Sequence, residues 1–120
     1  QDIRRMVRTL DSSSSEPYEL LPEVVEEIGL KALGERDRYV VYRPVPTAEN
    51  PTGYRGRTSI LELLIMTDPI RRLVMKHATS GEIQDEAIRG GMRTMYLDGL
   101  NKCLNGVTTL EEILRVTQEA

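Results

Sequence analysis

Apolar residues in the C-terminal half of the chain recur at helical spacing, and helix-starting signals separate them. Asp68 stands before Pro69 as an N-cap, where a side-chain oxygen accepts a free backbone N–H. Segments 79–82 and 108–111 read Thr-x-x-Glu, the capping box in which both side chains accept backbone N–H groups. With a further helix over about 94–105, we expect four short helices packed as a compact bundle.

The expected helices end at glycines and each buries one apolar stripe. Gly90, Gly91 and Gly106 follow helical segments, and Gly tolerates the left-handed conformation that ends a helix. The stripe of the 94–105 helix comprises Tyr96, Leu97, Leu100, Cys103 and Leu104. The stripe of the first helix comprises Ile70, Leu73, Val74 and His77. We therefore expect His77 to be a core or boundary residue and not a catalytic base.

The N-terminal half is typical of short strands joined by polar loops. Residues 1–10 should end in a strand, and 38–45 contains the β-branched and aromatic run YVVY. Residues 58–66 are almost continuously apolar, and we interpret them as a strand because a helix start follows at once. A short helix opens at Pro22 and ends at Gly29. The sequence thus predicts an α+β fold in which short strands precede a helical bundle.

Composition narrows the possible functions. The 120 residues carry a net charge of −3, so the general attraction of a basic protein to nucleic-acid phosphates is lacking. Cys103 is the single cysteine, and we expect it to be a small buried hydrophobe. One His and one Cys cannot form a four-ligand zinc site. No apolar run approaches the roughly 18 residues of a membrane span, and a Walker phosphate-binding loop is absent from the sequence.

Glu62 is the one charged residue inside the apolar segment 58–66. We interpret it as a carboxylate at the rim of a sheet, paired with an arginine. A catalytic role is the second possibility. From the residues alone, the chain is a helical module joined to a small sheet, with no visible activity.

Four motifs, taken together, carry a family resemblance. Residues 52–64 read TGYRGRTSILELL, and 91–94 read GMRT. Residues 98–102 read DGLNK, and 106–117 read GVTTLEEILRVT. In order and spacing they resemble the C-terminal part of the type II secretion ATPases (general secretion pathway protein E) and of the related type IV pilus assembly ATPases.

The resemblance implies that the chain is the C-terminal end of a hexameric cytoplasmic motor. Such a motor binds ATP and Mg through Walker boxes upstream of this region, and it lies at the inner membrane through platform proteins. Residues 1–10 would end its RecA-like core, and 57–66 would return as a strand beside the first. Residues 57–120 would hold this strand and the C-terminal helical subdomain, which packs on the core and on neighbouring subunits. The piece alone should turn over no ATP.

The same resemblance places a cysteine-motif subdomain at about 11–56. Family members commonly hold zinc there with two Cys-x-x-Cys pairs, but this chain has DSSS at 11–14 and no cysteine in 46–50. Oxygens of Asp, Ser, Thr and Asn are poor substitutes for thiolates on zinc, so we expect zinc to be absent. The two loops must then be held by other means or be mobile, and we expect mobility in 11–16 and 48–52.

Arg55 and Arg57 are the candidate functional residues. Gly53 and Gly56 are expected to form a tight turn, whose arginines pair with carboxylates such as Glu62. The alternative is a contact with the adjacent subunit, where a guanidinium can bridge to a carboxylate or phosphate.

Two other functions stay open. A type IV pilus assembly ATPase would share the same motifs. A stand-alone helical DNA-binding or adaptor module could be built on 80–105, read as a helix-turn-helix around Gly90 and Gly91. Against DNA binding, that second helix offers only Asn101 and Lys102 beyond the Arg93 at its start.

Overall fold

The computed structural model describes residues 2–63, 67–89 and 94–118. Within these residues the fold is α+β, as the sequence predicts, with two small antiparallel sheets and five α-helices. The strands are β1 (Asp2–Leu10), β2 (Glu16–Glu19), β3 (Val40–Arg43) and β4 (Tyr54–Leu63). The helices are α1 (Pro22–Ile28), a 3-10 helix (Leu30–Leu33), α2 (Asp68–Met75), α3 (Ser80–Arg89), α4 (Met95–Leu104) and α5 (Leu110–Gln118).

Strands β1 and β4 form an antiparallel ladder that closes the long excursion between them. The pairing runs from Asp2 opposite Leu63 to Leu10 opposite Tyr54. The prediction that the apolar segment returns as a strand beside the first is therefore confirmed. The last residues of that segment, 64–66, lie outside the described part of the chain.

A β-bulge interrupts this ladder near the end of β1 and the start of β4. Arg8 lies opposite Arg57 and Leu10 opposite Tyr54, so one residue of β1 faces two residues of β4. Thr9 of β1 faces both Arg55 and Gly56 of β4. Gly56 has a φ of 81°, which is readily adopted only by glycine. Bulges of this kind bend the strand and fix its register.

Gly53 belongs to a different feature, so the expected tight turn of two glycines is wrong. Gly53 ends the loop before β4 with a φ of 76°. A side chain there would place its Cβ 2.8 Å from Cβ of Pro44 and 3.0 Å from the backbone nitrogen of Val45. Glycine is required at this position because the loop backbone passes against the two residues that follow β3.

The segment between the two long strands has its own small framework. Strands β2 and β3 pair antiparallel, and α1 and the 3-10 helix lie between them in sequence. Helix α1 has Pro22 in its first turn and ends at Gly29, which is left-handed with φ 82°. Both helix signals and the strand in 38–45 are confirmed.

One hydrophobic core joins this framework to the β1–β4 sheet and to the last two helices. Val7 and Ile60 are fully buried on one face of the sheet, and Leu100 of α4 and Ile113 of α5 pack in the same cluster. The other members are Leu20, Val25, Leu30, Tyr39, Val41, Cys103, Leu104, Leu110 and Val116. The predicted stripe of the 94–105 helix thus lies in or against this core.

The described helices pack as two pairs, so the expected single bundle is wrong. Helices α4 and α5 pack on each other, on the sheet and on β3. At this contact a Cβ on Gly99 would lie 2.7 Å from Cδ1 of Ile113, so α4 has glycine where α5 comes closest. Helices α2 and α3 pack on each other and bury Ile70 and Ala87.

Two of the predicted caps can be compared directly. The box of Thr79 and Glu82 is confirmed: Oγ1 of Thr79 accepts from the Glu82 N–H at 3.1 Å, and Oε1 of Glu82 accepts from the Thr79 N–H at 3.3 Å. The N-cap of α2 is Thr67, whose Oγ1 accepts from the Ile70 N–H at 3.4 Å. Asp68 therefore lies in the first turn of α2, where the helix dipole stabilises a negative charge.

The last helix is capped one residue later than predicted. Oγ1 of Thr109 accepts from the Glu112 N–H at 3.2 Å, whereas Thr108 donates its hydroxyl to the Arg8 carbonyl at 2.6 Å. Gly106 is left-handed with φ 76°, as expected of a residue that ends a helix.

His77 does not lie on a buried face, so that prediction is wrong. It follows the end of α2 with a φ of 58°, and its side chain is exposed. The expected helix end at Gly90 and Gly91 lies outside the described residues.

Candidate functional site

Arg55 and Arg57 lie near the start of β4: Arg55 is in the bulge and Arg57 directly follows it. Arg55 places Nη2 3.5 Å from Oδ2 of Asp11, with its own side chain 70% exposed. Arg57 is exposed and lies directly opposite Arg8. The prediction that these arginines pair with carboxylates such as Glu62 is confirmed for Arg55, although its partner is Asp11 and not Glu62.

A buried carboxylate, Glu112 of α5, lies beside the arginine that faces Arg57. Its side chain is 1% exposed. Arg8 donates to Oε1 from Nε at 3.0 Å and from Nη2 at 2.8 Å, and its backbone N–H donates to Oε2 at 2.8 Å. Arg115 donates from Nε to Oε1 at 3.2 Å and from Nη2 to Oε2 at 3.0 Å. Five N–H groups therefore converge on one carboxylate.

These donors decide the ionisation of Glu112. Burial raises the pKa of a carboxyl group, but the hydrogen bonds from Arg115 and Arg8 outweigh it and hold the pKa of Glu112 at about 2. The carboxylate is thus charged at neutral pH and acts as a structural anion that joins α5 to β1.

The same junction orders the aromatic ring next to Arg8. The guanidinium carbon of Arg8 lies 4.1 Å from the ring centroid of Tyr54, a cation–π contact. The Tyr54 hydroxyl shares a hydrogen bond of 2.9 Å with Oγ1 of Thr109. The sequence does not predict that Arg8, Tyr54, Thr109 and Glu112 form a group. The one related sequence feature is the Glu-Glu pair that follows the Thr-Thr pair at the start of α5.

Arg57 differs from its cross-strand neighbour Arg8 in its ion pairing. Its cross-strand neighbour Arg8 is paired with Glu112, a carboxylate that it shares with Arg115. Among residues 2–63, 67–89 and 94–118, no ion pair to Arg57 is found. Like charges directly opposite each other destabilise a sheet, so Arg57 is placed where an external anion would be favourable.

Glu62 has a structural partner other than the expected arginine. Its Oε1 accepts the Met95 N–H at 3.2 Å, in the first turn of α4. Beside it, Oδ2 of Asp98 accepts from the Leu61 N–H at 2.9 Å and from Nζ of Lys102 at 2.9 Å. These two carboxylates fasten the start of α4 to β4, so Glu62 is an anchor for the helix start.

The loops where the resemblance implies zinc are joined by a group of polar side chains that we call the Asp11 latch: Asp11, Ser13, Asn50 and Arg55. Ser13 donates its N–H and hydroxyl to Oδ1 of Asp11 at 3.1 and 2.7 Å. Asn50 donates Nδ2 to Oδ2 at 3.0 Å. These contacts favour the alternative that the loops are held by other means, over the expected mobility.

The residues of these loops do not fit zinc. A structural zinc needs about four nitrogen or sulfur ligands, and the loops offer one carboxylate with amide and hydroxyl groups. Both Asp11 oxygens already accept from N–H or O–H donors. In the described part of the chain, no group of three or more His, Cys, Asp or Glu side chains could hold a metal ion.

Cys103 is buried on α4, as predicted. Burial, and secondarily the charge of Glu111, raises the pKa of its thiol to about 12. At neutral pH this buried thiol is protonated and is a poor nucleophile.

In the described residues, a two-stranded sheet, an inserted framework and a helix pair share one core. The chain matches the family model described as "Type II/IV secretion system protein" over residues 3–115. It therefore belongs to this family of type II and type IV secretion system proteins.

Individual proteins similar to this chain have names that refer to type II secretion or to type IV pilus assembly. The chain is 50% identical over 117 residues to "Type II secretion system protein E" of Xanthomonas campestris pv. campestris, which covers 98% of this chain and 21% of that protein. It is 37% identical over 119 residues to "Type II secretion system ATPase E" of Vibrio cholerae, which covers 98% and 23%. It is 48% identical over 68 residues to "Type IV pilus assembly ATPase PilB" of Thermus thermophilus, which covers 57% and 8%. The chain spans about a fifth of the secretion proteins' length.

The helix that the DNA-binding alternative needs is committed to the core. Gly99, Leu100, Cys103 and Leu104 of α4 are buried, and Lys102 is paired with Asp98. Arg93 lies outside the described residues.

Among the described helices, none is long and apolar enough to cross a membrane.

Proposed function

We propose that this chain is the C-terminal part of the ATPase that powers type II protein secretion by assembly of a pseudopilus. Its role there is to pack subunits and to couple ATP-driven motion to the secretion platform. The observation that carries the proposal is the alignment with a type II secretion protein E at 50% identity over 98% of the chain. The parent protein would bind ATP and Mg, act as a cytoplasmic homohexamer, and reach the inner membrane through platform proteins.

The β1–β4 sheet supports a place at the edge of a larger RecA-like core. Val7 and Ile60 bury one face of this sheet, whereas on the other face Met6 is 51% and Leu61 is 40% exposed. Apolar side chains in the middle of a sheet are usually covered. On this proposal the upstream core of the same polypeptide covers them, and residues 11–56 form an insert between its last two strands.

Arg57 supports a contact with the neighbouring subunit. It lies on the same face as Met6 and Leu61, because β4 side chains alternate and directly paired residues share a face. It is exposed, and it lies next to an arginine whose carboxylate partner is shared with Arg115. An arginine in this setting gains most from a carboxylate or phosphate supplied by another molecule. We assign this role to Arg57, and Arg55 to the Asp11 latch first and the subunit contact second.

The test is Arg57→Ala in the full-length protein. We expect ATP hydrolysis by the assembled enzyme to fall about tenfold or more and subunit association to weaken, because a charge-assisted hydrogen bond contributes about 1.5–3 kcal/mol. Steady-state hydrolysis and sedimentation velocity measure the two effects. The matched control is Arg36→Ala, which removes an exposed arginine of the insert.

Equal hydrolysis and equal association in Arg57→Ala and Arg36→Ala would contradict the subunit contact. Separately, the 120-residue chain should hydrolyse no ATP after purification, and measurable turnover would contradict its place outside the catalytic core. The pilus assembly alternative is favoured by the match to PilB, although that match covers only 57% of the chain. Loss of secretion, with pili intact, after deletion of the gene would decide between the two systems.

A further inference from the structure

The two loops of the insert, 11–15 and 47–53, meet at the Asp11 latch. The contacts of this latch are independent of the proposed function. The first loop follows β1 and the second precedes β4, so they approach each other where the long excursion begins and ends. The side chain of Asp11 is 8% exposed, although it lies in a loop. A carboxylate so little exposed is stable only where donors replace water.

The second loop is organised around Asn50. Its Nδ2 donates to Oδ2 of Asp11 at 3.0 Å and to the Tyr54 carbonyl at 2.9 Å. Its backbone N–H donates to Oγ1 of Thr47 at 3.0 Å, and its Oδ1 accepts from the Thr52 hydroxyl at 3.2 Å. Asn50 therefore closes its own loop and reaches across to the other one.

The first loop is folded around the same carboxylate. Ser13 donates twice to Oδ1 of Asp11, and the Ser14 N–H donates to the Asp11 carbonyl at 3.0 Å. The Asp11 N–H in turn donates to the Gly53 carbonyl at 3.0 Å, which ties the backbones of the two loops together. The hydrogen bonds from Asn50 and then Ser13 hold the pKa of Asp11 well below its ordinary value.

The charge pattern of this group is the reverse of that of a metal site. In a zinc site a central cation is surrounded by thiolates. Here a central anion is surrounded by N–H and O–H donors and by the guanidinium of Arg55. A cation could reach Asp11 only by displacing those donors and by approaching a positive charge.

We propose that the Asp11 latch takes over the task that zinc performs where two cysteine pairs are present, and holds the two loops of the insert together without metal. Asp11 is the centre of the latch, Asn50 carries the link between the loops, and Arg55 adds a weaker, exposed charge. The insert of this chain is accordingly folded in the absence of any metal ion.

The test is hydrogen exchange, followed by mass spectrometry, on the full-length protein. Asp11→Asn keeps the size of the side chain but turns an NH₂ group toward the donors of Asn50 and Arg55. We expect peptides from both loops, 11–15 and 47–53, to exchange roughly tenfold faster, since a hydrogen bond to a charged group is lost. Asn50→Ala should speed exchange in the 11–15 loop, which it does not belong to.

The matched control is Glu49→Gln, which removes an exposed carboxylate from the same loop and should leave exchange unchanged. Peptides from α5 should keep their protection in all three variants. Unchanged exchange in Asp11→Asn, or equal acceleration in the Glu49→Gln control, would overturn the latch.

A second arm tests the metal directly. Metal analysis of the purified protein should find far less than one zinc per chain, and a chelator should not alter exchange in either loop. One zinc per chain, or faster loop exchange after chelation, would overturn the proposal whatever the variants show.

Discussion

Glu112 and Asp11 both accept hydrogen bonds beside an arginine, but they hold different kinds of structure together. Glu112 joins a helix to a strand that lies 104 residues earlier, and two arginines and a backbone N–H converge on it. Asp11 joins two loops at the surface, and its main partners are Ser13 and Asn50. We expect the surroundings of the donors to decide how much each carboxylate stabilises the fold.

When Glu112 is removed, its donors have few substitutes. The backbone N–H of Arg8 would lose its acceptor, and two arginines would be left side by side without their shared anion. When Asp11 is removed, Ser13, Asn50 and Arg55 can turn toward water, because the loops lie at the surface. We therefore expect a global effect from the first carboxylate and a local one from the second.

The largest effect is expected from Glu112→Ala. Removing one partner of a buried ion pair typically destabilises by 3–5 kcal/mol, and because both arginines are about half-exposed, we expect the free energy of unfolding to fall by about 3 kcal/mol. Chemical denaturation followed by circular dichroism measures it. Glu111→Ala, on the exposed side of the same helix turn, is the control and should change stability little. A similar loss in both variants would show that helix propensity, and not the cluster, is responsible.

The second effect is acid sensitivity at the same cluster. The pKa of Glu112 is lowered from its ordinary value of 4.5 to about 2 in the folded protein. The unfolded chain thus binds this proton first, so the stabilisation is present above about pH 4.5 and is lost as the pH falls toward 2. At pH 3 the loss from this one group should be about 2 kcal/mol.

Other carboxylates titrate in the same range, so the comparison is with Glu112→Gln. The free energy of unfolding of the two proteins, measured between pH 7 and pH 3, should converge as the pH falls. A constant difference over this range would mean that Glu112 has an ordinary pKa.

The smallest effect is expected from Arg55→Gln. The pair between Arg55 and Asp11 is 3.5 Å long, and the arginine is 70% exposed. Exposed ion pairs contribute about 0–1 kcal/mol, so we expect a loss below about 0.5 kcal/mol, and a smaller one at high salt. A loss as large as that of Glu112→Ala would mean that the loop cluster is as important for stability as the buried one.

Local signals in the sequence predicted the elements well where one residue type fits one role. Pro22 and Gly29 bound a helix, and the apolar stripe ending at Leu104 predicted the buried face of α4. The caps were misplaced by one residue where the pattern is degenerate. Both Thr108 and Thr109 have a glutamate three positions later, so the sequence pattern fits either of them, and only the contact of Thr108 with β1 decides.

The carboxylate clusters could not be predicted because their members are brought together by tertiary structure. Nothing near Arg8 in sequence indicates that Glu112 will lie beside it, and the two glutamates of α5 differ only in which side of the helix meets the sheet. The role of Asp11 was missed for another reason. The absence of cysteines predicts loose loops, whereas in the structure a carboxylate and an amide join them.

The pairing of Leu10 with Tyr54 has a consequence for how this region can vary. The polypeptide leaves the sheet and comes back at neighbouring positions, so an excursion of any length fits the same exit and entry. Its inner side is not free to change, because Leu30 and Val41 are part of the common core and the Tyr96 hydroxyl binds the Ile28 carbonyl. Additions, tags or deletions in this excursion should therefore be tolerated in its exposed segments, such as 34–38. They should destabilise the fold where the excursion packs on α4.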